Sequence, residues 1–125
     1  MPLHKVSVAD KFELFSQEWE PKIVGDLDNY QIKLVKLSGE FIWHSHRDED
    51  ELFFVVDGAI DMHYRDEDGK ERVERFGSGE FLIVPRGVEH KPVARAGTKL
   101  MLIERNTVVN TGGERNERTV KPARI

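Results

Sequence analysis

The sequence predicts an all-β protein in which two antiparallel sheets pack as a sandwich or jelly-roll barrel. From Trp19 onward, short runs rich in β-branched and aromatic residues alternate with turn-forming residues at intervals of about ten positions. Before Trp19, residues 6–17 show a helical pattern that is brief, so a short N-terminal helix is expected. Many short strands with almost no helix are typical of folds that protect sheet edges by layering or closure.

The predicted elements follow one another closely along the chain. Ser7 is suited to cap the short helix, whose apolar face carries Val8, Phe12 and Phe15. The predicted strands are 22–27, 30–37, 41–46, 52–56, 59–65, 72–76, 81–84, 91–95 and 100–104. Turn residues separate the strands, as at Asp28-Asn29, Ser38-Gly39, Asp57-Gly58, Asp68-Gly69, Gly77-Ser78-Gly79, Pro85-Arg86-Gly87 and Ala96-Gly97-Thr98.

A chain of 125 residues has room for a single domain around one hydrophobic core. We expect an N-terminal extension at 1–18, the barrel at 19–104 and a C-terminal tail at 105–125. The tail has few apolar anchors, so three arrangements stay open: it packs across the barrel, packs onto a second subunit, or lies partly ordered on the surface.

Charge and composition exclude several classes of partner. The formal charge of −4 repels nucleic acid and anionic lipid. The longest apolar run, residues 52–56, is far shorter than the ~20 residues of a membrane-spanning helix, and residues 1–15 contain no apolar stretch of signal-peptide length. We therefore expect a soluble, cytoplasmic protein. Because cysteine is absent, any metal must be held by nitrogen and oxygen.

Four residues form a candidate metal site. His44 and His46 lie two apart in the predicted strand 41–46, so both rings project to one side of it. Glu51 begins the next strand, where a hairpin can bring its carboxylate beside the rings. His90 follows the turn at 85–87, which in a closed barrel can return to face that hairpin.

The donor set indicates the kind of ion. Three imidazoles and one carboxylate suit one divalent transition metal ion per chain, Fe, Mn, Ni, Co, Cu or Zn, and not Ca or Mg. Asp48, Glu49 and Asp50 are rival carboxylates for the place of Glu51. His4 and His63 are not expected to be ligands, because His63 shares a strand face with Asp61 rather than with the apolar residues beside it.

Two motifs carry a family resemblance. Residues 39–58 read G-EFIW-H-S-H-RDED-E-LFFVVD-G, and residues 79–90 read G-EFLIV-P-R-G-VE-H. They resemble the first and second metal-binding motifs of the cupins, the second with the family spacing G-x5-P-x-G-x2-H. Glu51 is favoured over its rivals because it stands seven positions before Gly58. The first motif has four residues between Gly39 and His44, where five are usual, and Ala94 stands where the family often has asparagine.

The resemblance implies a cupin-type jelly-roll barrel with His44, His46, Glu51 and His90 as metal ligands, and a homodimer as the assembly. It implies a metalloenzyme acting on a small organic substrate, such as a dioxygenase, decarboxylase or isomerase. The alternative functions are a non-catalytic barrel that binds a small molecule and a barrel that the metal mainly stabilises. Substrate and reaction stay open, because one fold hosts many chemistries.

Parity along the strands suggests the surroundings of the site. Ile42 shares the parity of His44, and Phe53 and Val55 share that of Glu51, so these three could line an apolar pocket above the metal. Trp43 has the opposite parity and should face away from the pocket. Arg86 is interpreted as a solvated turn residue, although it lies near enough to His90 to steer an anion.

Overall fold

The computed structural model describes residues 2–125, which form one short helix and eight strands. The elements are α1 (Val8–Phe12), β1 (Lys22–Leu27), β2 (Tyr30–Glu40), β3 (Glu51–Asp57), β4 (Ala59–Arg65), β5 (Glu71–Gly77), β6 (Phe81–Val84), β7 (His90–Arg105) and β8 (Ala123–Arg124). The bounds of β1, β4 and β6 are those predicted. The helix is shorter than the segment 6–17 in which the sequence shows a helical pattern. Ser7 caps it by accepting a hydrogen bond from the backbone N–H of Asp10.

The long strand β7 joins two sheet layers. Its first part, 90–94, pairs with β4, and its last part, 99–104, pairs with β3. One layer is therefore β5-β4-β7 and the other is β6-β3-β7-β2-β1-β8. Among the described residues β5 and β6 are not paired, so the jelly roll is not closed into a full cylinder.

The turn predicted at 96–98 is wrong, because β7 is one continuous strand. Gly97 has a φ of +78°, and β2 has an irregular register opposite it, between Leu37 and Gly39. A bulge of this kind bends a strand without ending its pairing. The chain thus passes from one layer to the other while it stays bonded to β2.

The predicted strand 41–46 is also wrong. Phe41 donates its backbone N–H to Pro92, and His44 exchanges two backbone hydrogen bonds with His90. Phe41 and His44 are three positions apart while their partners are two apart, which breaks the ladder register. Pro92 has no N–H to return. The segment therefore runs beside β7 with a single bridge, His44 to His90.

Two apolar clusters position these elements. The main core lies between the layers and includes Phe53, Val55, Ile60, Met62 and Leu100. A second cluster on the outer face of β2 consists of Phe12, Phe15 and Leu34, so the N-terminal extension covers that face. Within residues 2–125 no helix is long and apolar enough to cross a membrane.

The C-terminal tail packs across the barrel, the first of the three arrangements considered. Val108 and Thr111 are buried, and β8 pairs in parallel with β1. The side chain of Asn110 closes the tail on itself, donating to the carbonyl of Arg118 and accepting from the N–H of Val120.

Candidate metal centre

The structure brings together the four residues that the sequence singles out. His44 and His46 come from the segment beside β7, Glu51 is the first residue of β3, and His90 is the first residue of β7. One potential ligand atom from each lies within 4.8 Å of those of the others. Two ligands on opposite sides of a zinc-sized ion lie about 4.2 Å apart. The group therefore matches the size of a site for one ion.

The rival carboxylates lie outside this group. Asp50 accepts hydrogen bonds from the backbone and side chain of Arg86, and Glu49 accepts one from Thr107. Asp48 is exposed. Of the acidic residues from 48 to 51, only Glu51 is buried in the cluster.

Backbone carbonyls orient two of the imidazole rings. Nδ1 of His44 lies 2.9 Å from the carbonyl oxygen of Ile42, and Nδ1 of His90 lies 2.9 Å from that of Val88. A carbonyl only accepts, so each Nδ1 carries the proton and donates it. Each Nε2 then has a free lone pair, the tautomer that a metal-binding histidine requires.

Three buried polar atoms face one another at the centre of the group. Nε2 of His46 and Nε2 of His90 lie 2.9 and 3.3 Å from Oε1 of Glu51. Within the described chain, none of these three atoms has a hydrogen-bond partner. Buried polar atoms without partners are rare and costly, and a shared cation would satisfy all three. The residues therefore fit a metal ion.

The protonation states of His44 and Glu51 favour binding of a cation. Burial is the main cause that lowers the pKa of His44 to about 4, and the neighbouring His90 ring acts in the same direction, so the His44 ring is neutral near neutral pH. For Glu51, burial opposes the charged form, but the adjacent Glu104 carboxyl and next the His46 ring outweigh this effect and hold the pKa of Glu51 well below its usual value. Burial, and next the charge of Glu51, raise the pKa of Glu104 well above its usual value.

A small cavity of about 50 Å³ adjoins the group. Its polar lining is His44, Glu51, Glu104 and Asn110, and the other lining residues are Trp19, Pro21, Val35, Leu37, Phe41, Phe53, Pro92, Leu100 and Leu102. Phe53 therefore lines it as predicted, whereas Ile42 does not and Val55 is part of the core. Trp19 stacks on Phe41 with ring centroids 5.0 Å apart and forms an aromatic wall.

Sequence reasoning missed two polar residues beside the group, Lys33 and Glu104. They form a buried ion pair with Nζ of Lys33 2.9 Å from Oε1 of Glu104. Strand parity could have found both, because Lys33 shares its strand face with the inward-facing Val35, and Glu104 shares its face with Leu102.

The structure places three further residues outside the cluster or its cavity. His63 lies away from the cluster and contacts Glu71, and His4 is exposed. The guanidinium carbon of Arg65 lies 4.7 Å from the centroid of the Trp43 ring. Trp43 does not line the cavity.

A larger cleft of about 580 Å³ lies between the β4–β5 turn and the end of β6. Its apolar lining includes Met62, Leu82 and Val84, and its rim carries Arg65 and Arg72. It does not include any of the four clustered residues, so we do not assign the metal chemistry to it.

Comparison with known proteins gives a family match and a similar solved structure. A family model described as "Cupin domain" matches residues 33–104. A solved cupin-2 domain containing protein from Shewanella frigidimarina is 42% identical with a TM-score of 0.75, covering 81% of this chain and 94% of that one.

Two relatives match at the sequence level. The uncharacterized protein YdbB of Bacillus subtilis (strain 168) is 25% identical over 81 residues, which are 65% of this chain and 68% of YdbB. The acireductone dioxygenase of Yarrowia lipolytica is 32% identical over 71 residues, which are 57% of this chain and 39% of that enzyme. The match to the dioxygenase therefore spans well under half of its length.

Proposed function

This chain belongs to the cupin family, and we propose that it is a metal-dependent enzyme acting on a small organic substrate. In this proposal His44, His46, Glu51 and His90 hold one divalent transition metal ion. The observation that supports it is the group of buried, unpartnered atoms on His46, Glu51 and His90, which calls for a cation.

Different residues would hold the metal, orient its ligands and line the adjoining cavity. When bound, the metal would supply Lewis-acid polarisation or oxygen activation. The carbonyls of Ile42 and Val88 fix the tautomers of His44 and His90, so that both present a lone pair to the ion. Phe53 and the stacked aromatic wall surround the adjoining cavity with apolar surface and limit access of water.

Among the reactions open to this fold, we favour a dioxygenase over an isomerase. Support comes from the similarity to acireductone dioxygenase, which is partial. The donor set also suits iron or manganese, ions that work with oxygen. The second candidate is a barrel that binds a small molecule in the same cavity without turnover.

Metal content tests the site directly. Purified wild type should contain about one transition metal ion per chain by elemental analysis, and His46→Ala much less. His63→Ala is the matched control, because His63 lies in β4 and contacts Glu71 rather than the cluster. Equal metal in wild type and His46→Ala would contradict the site. Oxygen uptake by the Fe²⁺-loaded protein with small hydroxylated carbonyl compounds would then separate a dioxygenase from a binder.

We also propose that the protein is a homodimer. The register places Ile83, Leu52, Ile103 and Ile32 side by side across β6, β3, β7 and β2, on the outer face. Phe81 and Ile83, at one end of this face, are 59% and 54% exposed. An apolar sheet face of this kind is typical of an interface between subunits.

A further inference from the structure

A pocket of about 350 Å³ lies beneath the C-terminal tail, and none of the four metal-site residues lines it. Ile23 of β1 and Lys33 of β2, which are opposite each other in the sheet register, line one side. Tail residues between 106 and 122 line the other side. Pockets of this size commonly hold small organic molecules. We call it the tail pocket.

The tail pocket is lined by positive charge without a compensating carboxylate. Lys33, Arg115 and Lys121 belong to its lining, whereas no Asp or Glu of the described chain does. This is unlike the chain as a whole, whose formal charge is −4. Within residues 2–125, Arg115 and Lys121 do not take part in any ion pair. The pocket is therefore complementary to an anion.

Lys33 distinguishes the tail pocket from a patch of solvated surface cations. Its side chain is 2% exposed, and its ammonium donates one hydrogen bond, to Oε1 of Glu104. An ammonium has three N–H donors, so the described chain supplies an acceptor for only one of them. A buried charge with too few hydrogen-bond partners is costly. Because Lys33 lines the tail pocket, an anion bound there can supply further acceptors.

A phosphate group fits this arrangement better than a carboxylate. Near neutral pH a phosphate ester carries about two negative charges, and a carboxylate carries one. The guanidinium of an arginine such as Arg115 can donate two parallel hydrogen bonds to phosphate, and a lysine binds phosphate as a point charge. Ile23 and Val120 add apolar surface that can contact an organic group on the phosphate. We propose that the tail pocket binds a phosphate group, with the buried Lys33 at its base and the exposed Arg115 and Lys121 at its rim.

Three anions serve as probes of the tail pocket. Phenyl phosphate, benzoate and inorganic phosphate are titrated into the full chain loaded with Zn²⁺, and binding is followed residue by residue in amide NMR spectra. Phenyl phosphate should shift the amide signals of residues 106–109 and 120–121, and it should bind more tightly than benzoate, which carries one charge. Inorganic phosphate identifies the source of the group. Tighter binding than phenyl phosphate would indicate free phosphate as the ligand, and weaker binding a phosphorylated organic compound.

Substitutions of the three cations test their parts in the pocket. Arg115→Gln and Lys121→Gln change exposed residues, and each should weaken phenyl phosphate binding at least about threefold, as expected when a partly solvated charge is lost. Lys33→Met should weaken it at least about tenfold, as expected when a buried hydrogen bond to a charged group is lost. Lys70→Gln is the matched control. Lys70 is exposed between β4 and β5, so its substitution alters the net charge equally and should leave binding unaltered.

Three results would overturn the phosphate site. Shifts confined to residues 44–46, 51 and 90 would place the phosphate on the metal. Equal binding of benzoate and phenyl phosphate would remove the preference for phosphate, and equal weakening by Lys70→Gln and Lys121→Gln would leave net charge as the cause. If Lys33→Met does not fold, the two rim variants decide. A wild type that binds no metal but still binds phenyl phosphate in the tail pocket would contradict the proposed function and support this site, because the pocket does not include the metal ligands.

Discussion

Gly112 of the C-terminal tail lies directly against the backbone of Ser45, the residue between His44 and His46. A side chain at Gly112 would meet the carbonyl oxygen of Ser45, and its φ of +77° is one that other residues rarely adopt. The tail therefore supports the segment that carries two of the four site residues.

Gly112→Ala should consequently disturb both the tail and the metal site. We expect a loss of about 1–3 kcal/mol in the free energy of unfolding, measured by urea denaturation, together with weaker Co²⁺ binding. Gly113→Ala is the matched control, because its added methyl would meet open space and its φ is ordinary. Equal effects of the two variants would show that the tail contact does not support the site.

Removal of the metal should lower the melting temperature of the protein, and this effect should require the site histidines. An ion present at a hundredfold excess over its dissociation constant adds about 2.7 kcal/mol. For a domain of this size that corresponds to a melting temperature about 10 °C higher. Calorimetry with and without chelator should show this shift in wild type and in His63→Ala but not in His90→Ala. A shift that survives in His90→Ala would place the ion elsewhere.

The grouping of the four residues can be predicted from sequence because they lie beside turns and strand starts that local residue types determine. Glu51 and His90 are the first residues of β3 and β7, next to turns that glycine and proline mark. The residues that carry His44 and His46 have the composition of a strand. Strand propensity depends only on the segment itself, so it cannot reveal that the pairing partner Pro92 lacks an N–H. The two rings nevertheless converge, since the bridge to His90 fixes the position of His44.

The tail and the buried ion pair depend on tertiary contacts and were harder to predict. The tail is held by the hydrogen bonds of Asn110 and by the close approach of Gly112, which no local pattern announces. Lys33 and Glu104 lie at inward positions that parity could flag, but their pairing needs the register of β2 on β7.

Gly58, the last glycine of the first motif, should tolerate substitution less than Gly39, the first. Both have positive φ, but only at Gly58 would an added Cβ clash, lying 2.8 Å from the Cα of Thr98. We expect Gly58→Ala to cost about 1–3 kcal/mol more than Gly39→Ala in urea denaturation. Equal costs would mean that backbone conformation alone, and not the approach to Thr98, constrains the motif.

The proposed dimer should depend on the apolar outer face. Sedimentation at micromolar concentration should give a dimer for wild type and a monomer for Ile83→Glu, because a buried charge in the interface would have no partner. Val73→Glu is the control, since Val73 is similarly exposed, at 51%, but lies on β5 in the other layer. A monomeric wild type, or dissociation by Val73→Glu alone, would argue against this face.

The ion pair between Asp26 and Arg124, which joins β1 to β8, should contribute stability only above acidic pH. Hydrogen bonds from Arg124, at 2.8 and 3.1 Å, hold the pKa of Asp26 below its usual value against a small opposing effect of burial. A carboxylate with a lowered folded-state pKa stabilises the fold above its unfolded pKa, about 3.9, and the contribution is lost as the pH falls through the folded value. The difference in unfolding free energy between wild type and Asp26→Asn should therefore shrink as the pH falls from 6 toward 2. In an NMR titration Arg124→Gln should raise the midpoint of Asp26, and an identical midpoint in both proteins would show that Arg124 does not determine it.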